Sequence, residues 1–418
     1  MKQEERMAKT GYAQARYERT RQLDIDNAIA AEKRGRVDLP LLLLVLILLT
    51  IGVIMVLSAS FASAYYELGD PTRYFTRQLS FAVGGVAVMM LVSNVSMKIF
   101  RKYSMLLLAG SIALLVLVLF FGVTRNYARR WFEIGPISIQ PSEIAKLGVI
   151  MSFAVMICKN GEDLRHFKKG SRIKFLKAFA PYVMILGMIA VLLRLEPHNS
   201  AIIIIVAIAA VVLFAGGLDM RLCLLAIAIA VVAIVGVVYY AEKNFATINE
   251  TGVGSYEMGR IVYWLHPDAD PTDGGYQVLQ SLYAIGSGGL TGLGLGQSRQ
   301  KYLYLPEEHN DYIFAIVCEE LGFVGAALIL VLFAILIMRG FWIAMHARTK
   351  YDALLAAGIT GMLAIQTFLN ISVVTNFLPC TGISLPFFSY GGSALAIQLA
   401  EMGILLSISR DIPATKAG

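Results

Sequence analysis

"LPLLLLVLILLTIGVIMVLSAS" occupies residues 39–60 and carries no charged side chain. An α-helix rises about 1.5 Å per residue, so about 20 apolar residues cross the ~30 Å hydrocarbon core of a bilayer. "AIIIIVAIAAVVLFAGG" (201–217) is a second such run. A soluble helix of this length keeps a polar face toward water, and neither run has one. The same bias holds along the chain, whose 418 residues are 57% hydrophobic and 16% charged. An ordinary soluble domain is about a quarter charged, and the mean hydropathy here is +0.67. The expected fold is therefore an all-α polytopic membrane protein of about ten spans. They are placed at 39–60, 78–95, 103–123, 143–158, 178–194, 199–217, 221–241, 311–338, 352–375 and 391–409.

Residues 1–38 form a polar, basic tail, "MKQEERMAKTGYAQARYERTRQLDIDNAIAAEKRGR" and two more residues. No short apolar stretch with a small-residue cleavage site follows, so a cleavable signal is not expected. The net charge is +7. Basic residues flank membrane helices on the cytoplasmic side, which accounts for that excess without nucleic acid. Loop 159–177 carries Lys159, Arg165, Lys168, Lys169, Arg172, Lys174 and Lys177. Loop 96–102 adds Lys98, Arg101 and Lys102, and loop 339–351 adds Arg339, Arg348 and Lys350. With these inside, both termini are cytoplasmic. The membrane region is 39–410, and 411–418 is a short tail. The four cysteines, Cys158, Cys223, Cys318 and Cys380, are scattered and form no CxxC, so neither a zinc site nor a disulfide framework is indicated.

Two outer segments carry the polar chemistry. "TRNYARRWFEIGPISIQPSE" (124–143) puts Arg125, Arg129 and Arg130 on the side that should be poor in positive charge. An anionic ligand explains them; pairing with Glu133 or with lipid phosphates is the other reading. The second is a loop of about 70 residues, 242–310, and loops of that length are usually functional. Within it, Asp273 is a candidate cap for a helix from about Gly275. Val278, Leu279, Leu282 and Tyr283 would form its apolar face, and Gln277, Gln280, Ser281 and Ala284 the other. "GSGGLTGLGLG" (286–296) lacks the GK[ST] of a phosphate-binding loop and reads as a tight re-entrant turn. "RLEPHNS" (194–200) reads as a tight turn, and "NFLPCTGISLPFFSYGGSA" (376–394) as an irregular aromatic segment. Glu319, Glu320, Asn370 and Glu401 lie in apolar spans, where facing lipid is costly, so they are expected to face the bundle interior. For Asn370 the expected role is helix-to-helix glue.

"ARRWFEIGPISIQPSEIAK" (128–146), "DPTDGGYQVLQSLYAIGSGGLTGLGLGQSRQKYLYLPEEHNDYIFAIVCEELG" (270–322) and "LPCTGISLPFFSYGGSALAI" (378–397) together resemble the SEDS family (shape, elongation, division and sporulation). The likeness spans residues 36–411 and is nearest the FtsW and SpoVE branch. It departs at "EPHNSA" (196–201), where many members carry an Asp-Leu-Gly-Thr type sequence, so no role is carried over there. The resemblance implies a peptidoglycan glycosyltransferase that polymerises lipid II on the outer face of the cytoplasmic membrane during division or sporulation. It implies a class B penicillin-binding protein as partner, with other divisome membrane proteins, at the septum.

Motif matching puts the family's essential acid at Asp270, although Asp-Pro is also a turn former. The substrate-binding candidates in the first motif are Arg129, Arg130, Gln140, Glu143 and Lys146. Those in the second are Gln277, Gln280, Ser281, Lys301, Glu307 and His309, and Ser389 lies in the third. Glu307 and His309 lack the spaced partners of a metal site; a divalent cation, Mg or Mn, would enter only with the pyrophosphate. The chemistry fits these residue types. A sugar 4-hydroxyl is a poor nucleophile, and a carboxylate that takes its proton helps by about 10²–10⁴-fold. The departing lipid pyrophosphate needs positive charge more than it needs a proton. Two alternatives remain open on sequence: a lipid II flippase, for which the intramembrane acids would form a pathway, and a structural division scaffold.

Overall fold

A computed structural model describes residues 35, 37–125, 128–135, 137–164, 172–243, 245, 256–270 and 275–412. Ten apolar helices run back and forth: α1 (Leu39–Leu68), α2 (Arg73–Val92), α3 (Met97–Phe121), α4 (Pro141–Leu164), α5 (Arg172–Leu195), α6 (Asn199–Ala215), α7 (Met220–Lys243), α10 (Ile313–His346), α11 (Lys350–Val374) and α12 (Gly392–Arg410). Two shorter helices, α8 (Tyr256–Leu265) and α9 (Tyr276–Gly288), lie between α7 and α10. Among the described residues nine helices are long and apolar enough to cross a membrane, and α6, at 17 residues, is the short tenth. Every expected span coincides with a helix, and the chain is a multi-pass membrane protein.

The termini of the helices are fixed by ordinary devices. Asp38 caps α1, its carboxylate accepting from Leu41 N at 2.9 Å, with Pro40 in the first turn. The same carboxylate takes Arg339 of α10 at 2.7 Å. Arg410, at the end of α12, donates to Asn94 Oδ1 at 2.5 Å and to Gly35 O at 3.3 Å. These contacts gather the N-terminal edge, the α2–α3 turn, the end of α10 and the end of α12 at one end of the bundle. The basic loops fall at that end.

The opposite end holds the long connections. Residues 123–139 are not a loop, as the sequence reading had them, but a three-stranded antiparallel sheet: β1 (Val123–Arg125), β2 (Ala128–Ile134) and β3 (Ile137–Ile139). Thr124 pairs with Arg129 and Glu133 with Ser138. The described residues of the 242–310 connection include α8, a 3-10 turn at Pro267–Ala269, and α9.

The acids expected to face the interior do so. Glu319 and Glu320 are 0% and 1% exposed, and they precede a break in α10 at Gly322, whose φ is 66°. The carbonyls of Glu319 and Glu320 accept from Leu293 N and Gly294 N, each at 3.0 Å, so the glycine-rich turn completes the broken helix. Their carboxylates are equally occupied. Glu320 takes Ser58 Oγ at 2.7 Å, Ser298 N at 3.2 Å and Lys301 Nζ at 3.1 Å. Glu319 takes Ser298 Oγ, Arg299 N at 3.1 Å and Gln300 N at 3.3 Å. Acids with this many donors are structural fixtures. Asn370 is glue, as expected: its Nδ2 donates to Asp311 O and Ile383 O, each at 2.7 Å.

Gly358 and Gly361 on α11 meet Ile150 and Val211, so they serve packing inside the bundle against α4 and α6. By contrast α7 is exposed along nearly its whole apolar length.

Candidate functional site

The site is built where five segments of the loop-rich end meet: β2, the 196–198 turn, α8 with the Asp270 turn, residues 306–311, and 376–391. Strand geometry sorts the two adjacent arginines, since successive side chains in a strand point to opposite faces. Arg129 is exposed and donates from Nε to Thr124 Oγ1 at 3.2 Å and from Nη1 to Leu119 O at 3.4 Å. Arg130 turns inward, its Nε donating to Glu196 O at 3.3 Å and its Nη2 to Pro197 O. These carbonyls follow the C-terminus of α5, where the helix dipole favours a cation.

The turn beneath Arg130 is unusual. Glu196 is 1% exposed and neither carboxyl oxygen has a hydrogen-bond partner among the described residues. Burial pushes its carboxyl up to about 8, against the pull of the nearby Arg130 charge, so it is largely protonated at neutral pH. His198 is also buried and its Nδ1 has no partner. Burial first, then the charges of Arg130 and Lys146, push it down to about 3, so the ring is neutral. Lys146 itself pairs with Glu143 at 2.6 Å one turn away on α4. Glu401 of α12, 2% exposed, lies in electrostatic range of both.

Asp270 follows the 3-10 turn and is partly buried. Its carbonyl accepts from Gly275 N at 2.8 Å, and a Cβ on Gly275 would lie 2.0 Å from Pro267 O, so only glycine closes this turn. Asp273 and the rest of 271–274 lie outside the described residues; Gly275 holds the N-cap position of α9 without a side-chain bond. The Asp270 turn continues α8 through His266 N to Val262 O at 2.8 Å and Ala269 N to His266 O at 3.1 Å. Ten residues back on that run, Arg260 donates to Cys380 O at 3.1 Å. Asp311 feels Arg260 and Arg130 together. Burial, then the Glu307 charge, push its carboxyl up to about 6, opposed by Arg260, Arg130 and His309.

Several candidates from the sequence are hydrogen-bonded to other parts of the protein. Ser281 was expected on a polar face; it is 1% exposed and donates to Val374 O at 2.7 Å, fastening α9 to α11. Ala284 is buried beside it while Tyr283, expected inward, is 56% exposed, so the face of α9 is rotated. Lys301 spends its protons on Gly296 O, Glu320 and Ser58. Ser389 Oγ donates to Asn310 O and accepts from Leu385 N. Gln277 ties Pro306 O at 3.2 Å, Glu307 accepts from Asn310, and His309 stacks on Tyr74 at 4.5 Å while contacting Glu308. Each is satisfied by protein, and together they fix the 306–311 and 376–391 segments. Gln140 precedes α4 and its carbonyl accepts from Glu143 N at 3.2 Å; Gln280 is half-buried on α9.

Arg260, Asp311, Glu196, His198 and Glu401 join the cluster without having been named as site residues. Arg260 had a readable signal, because it is basic on the side that should be poor in positive charge, as Arg130 is. The others lacked one. Among the described residues no three His, Cys, Asp or Glu side chains gather to hold a metal. The cluster's positive charge comes from arginine and lysine.

Residues 39–413 match the family described as cell cycle protein, FtsW/RodA/SpoVE. Stage V sporulation protein E of Bacillus subtilis (strain 168) is 41% identical over 380 residues, covering 90% of this chain and 98% of that protein. A probable peptidoglycan glycosyltransferase FtsW of Trichlorobacter lovleyi is 38% identical over 374 residues, covering 89% of this chain and 93% of that protein. Among solved structures, one described as structural coordination of polymerization and crosslinking by a peptidoglycan synthase complex matches with a TM-score of 0.72. It is 27% identical and covers 90% of this chain and 99% of that one. The rod shape determining protein RodA of Thermus thermophilus matches with a TM-score of 0.63 at 26% identity, covering 90% of this chain and 97% of that one.

Proposed function

The chain belongs to the FtsW/RodA/SpoVE family of cell cycle proteins, and on that ground we propose that it is a peptidoglycan glycosyltransferase that polymerises lipid II. The observation that carries the reading is the convergence of Arg130, Lys146 and Arg260, the last on the helix that runs into the Asp270 turn, at the end of the bundle away from the basic loops. In this reading that end faces outward, both termini are cytoplasmic, and the undecaprenyl tail lies between helices in the bilayer.

The reaction joins a sugar 4-hydroxyl to an anomeric carbon. The bond from that carbon to the pyrophosphate breaks, and the leaving group departs as an anion on its lipid. Asp270 takes the hydroxyl proton. Arg130, set on the α5 carbonyls, and Lys146, set by Glu143, supply the positive charge that the departing pyrophosphate needs, and an arginine fork suits it better than a point charge. No step is routed through a divalent cation.

The protein works with a class B penicillin-binding protein, which cross-links the strands, and with other divisome membrane proteins at the septum. The test is polymerisation of labelled lipid II by purified protein, alone and with its cognate partner. Glycan chains are the expected product; protein that moves lipid II across vesicles without forming chains is a flippase, and the reading fails.

A further inference from the structure

Asp311 brings a further acid to this site. Among the described residues, its carboxyl oxygens have no hydrogen-bond or ion-pair partner. Its position is nevertheless fixed through its backbone. Asn370 Nδ2 binds Asp311 O at 2.7 Å and, with its other proton, Ile383 O at 2.7 Å. The side chain is thus held without spending the carboxylate.

The surroundings keep it open. Gly382 faces Oδ2 with no side chain: a Cβ there would lie 3.1 Å from that oxygen, and Gly382 has a left-handed φ of 58°. The two guanidinium groups in electrostatic range are aimed elsewhere, Arg260 at Cys380 O and Arg130 at Glu196 O and Pro197 O. The remaining charged or titratable neighbours are Glu307 and His309 on its own segment, and Tyr312 and Cys380 beside it. Glu307 accepts from Asn310, and His309 is engaged by Glu308 and Tyr74. The carboxylate is half-buried and can accept donors from a ligand that enters the cluster. Two arginines raise the local positive potential, and among the described residues no third His, Cys, Asp or Glu gathers here, which favours hydrogen-bond donors over a divalent cation.

We propose that Asp311 is a substrate-contacting acid that accepts hydrogen bonds from the hydroxyl or acetamido N–H groups of an N-acetylated sugar, while Arg130 and Arg260 face the adjoining pyrophosphate. The role rests on the polymerase reading above and extends it to the sugar. It makes Asp311 distinct from Asp270, since it holds the sugar and takes no proton.

Ionised Asp311 is the working form. Its carboxyl is raised to about 6, so substrate capture is complete above that value and is lost as the pH falls through it. The experiment uses the full-length protein with its partner and short-chain lipid II. Fluorescent lipid II binding and kcat/KM for polymerisation are both followed from pH 5 to 8, with thermal melting as the folding control. The unsubstituted protein should show an acid limb near pH 6 in both measurements. Asp311→Asn should bind about 10–100-fold more weakly, the usual range for a hydrogen bond to a charged group. It should also lose the limb and melt no lower, because no protein hydrogen bond to the carboxylate is lost. His309→Gln should keep the limb. A flat native profile, a limb that survives in Asp311→Asn, or an Asp311→Asn protein that melts lower or does not fold overturns the proposal. Absence of glycan from the native protein would remove the polymerase reading, yet the binding titration would still decide Asp311.

Discussion

Arg129 and Arg130 are neighbours in the chain and opposites in space, because a strand sends them to different faces. Arg130→Ala should therefore lower lipid II polymerisation by at least 10-fold, and Arg129→Ala by much less. Equal loss in the two, at matched expression, would remove Arg130 from the pyrophosphate. Asp270→Asn keeps shape and turn propensity but cannot act as a base, so it should abolish chain growth while partner co-purification persists. An active Asp270→Asn protein would leave only the turn role. Glu196 makes a stability prediction. Its folded value of about 8 lies above the unfolded carboxylate range, so the native state holds a proton that the unfolded state releases. Stability then falls as pH rises from about 4.5 toward 8. Glu196→Gln does not titrate, and its melting temperature should exceed that of the unsubstituted protein at pH 8 while matching it near pH 5. A gap that does not grow with pH would contradict the burial account. The sequence showed Asp270 and Arg130 through motif and charge, whereas Glu196, His198 and Asp311 depend on which side chains lack partners.

α10 shows how an element can be made from two pieces of chain. Gly322 breaks the helix, and the 289–296 turn supplies the missing donors to Glu319 and Glu320 carbonyls. A Cβ on Gly322 would lie 2.2 Å from Gly292 N, in a left-handed backbone that costs other residues about 1–3 kcal/mol. Gly322→Ala should lower the melting temperature and reduce polymerisation, because residues 298–311 are carried on that turn. Gly84→Ala, with nothing within 4 Å of its Cβ, should be neutral; similar melting of the two would deny the turn its role. Apolar length identified the ten spans, nine long helices and the shorter α6 among the described residues. The sequence reading missed the β1–β3 sheet, whose strands are short and pair with each other, and it misjudged the face of α9. That helix is covered by α10 and α11 rather than presented to a cavity on one side.

At the level of the whole molecule, orientation follows from charge. The Thr72 turn and the Lys98 turn lie at opposite ends of the bundle, and both residues are exposed. In a background without the four native cysteines, Thr72→Cys should react with an impermeant thiol reagent in intact cells, and Lys98→Cys should react only after lysis. The reverse pattern would invert the topology and place the arginine cluster in the cytoplasm. The ion pair of Asp38 with Arg339, and Arg410 on Asn94, close the opposite end. The two ends thus divide the work: one fastens helices, and the other gathers polar side chains from five segments.

By itself the sequence determined the class, the spans and the family. These follow from local quantities: apolar length against bilayer thickness, and motifs in fixed order. The tertiary structure alone shows which polar residues the protein itself engages. Lys301, Ser281 and Ser389 look like ligand-binding residues until their partners Glu320, Val374 O and Asn310 O are seen. Asp311 looks like one loop acid among several until its carboxylate is found without a donor, beside arginines from β2 and α8. The physical reason is that hydrogen bonding is satisfied by proximity, and here the partners lie up to hundreds of residues apart, as Lys301 and Ser58 do. No window of sequence records that pairing.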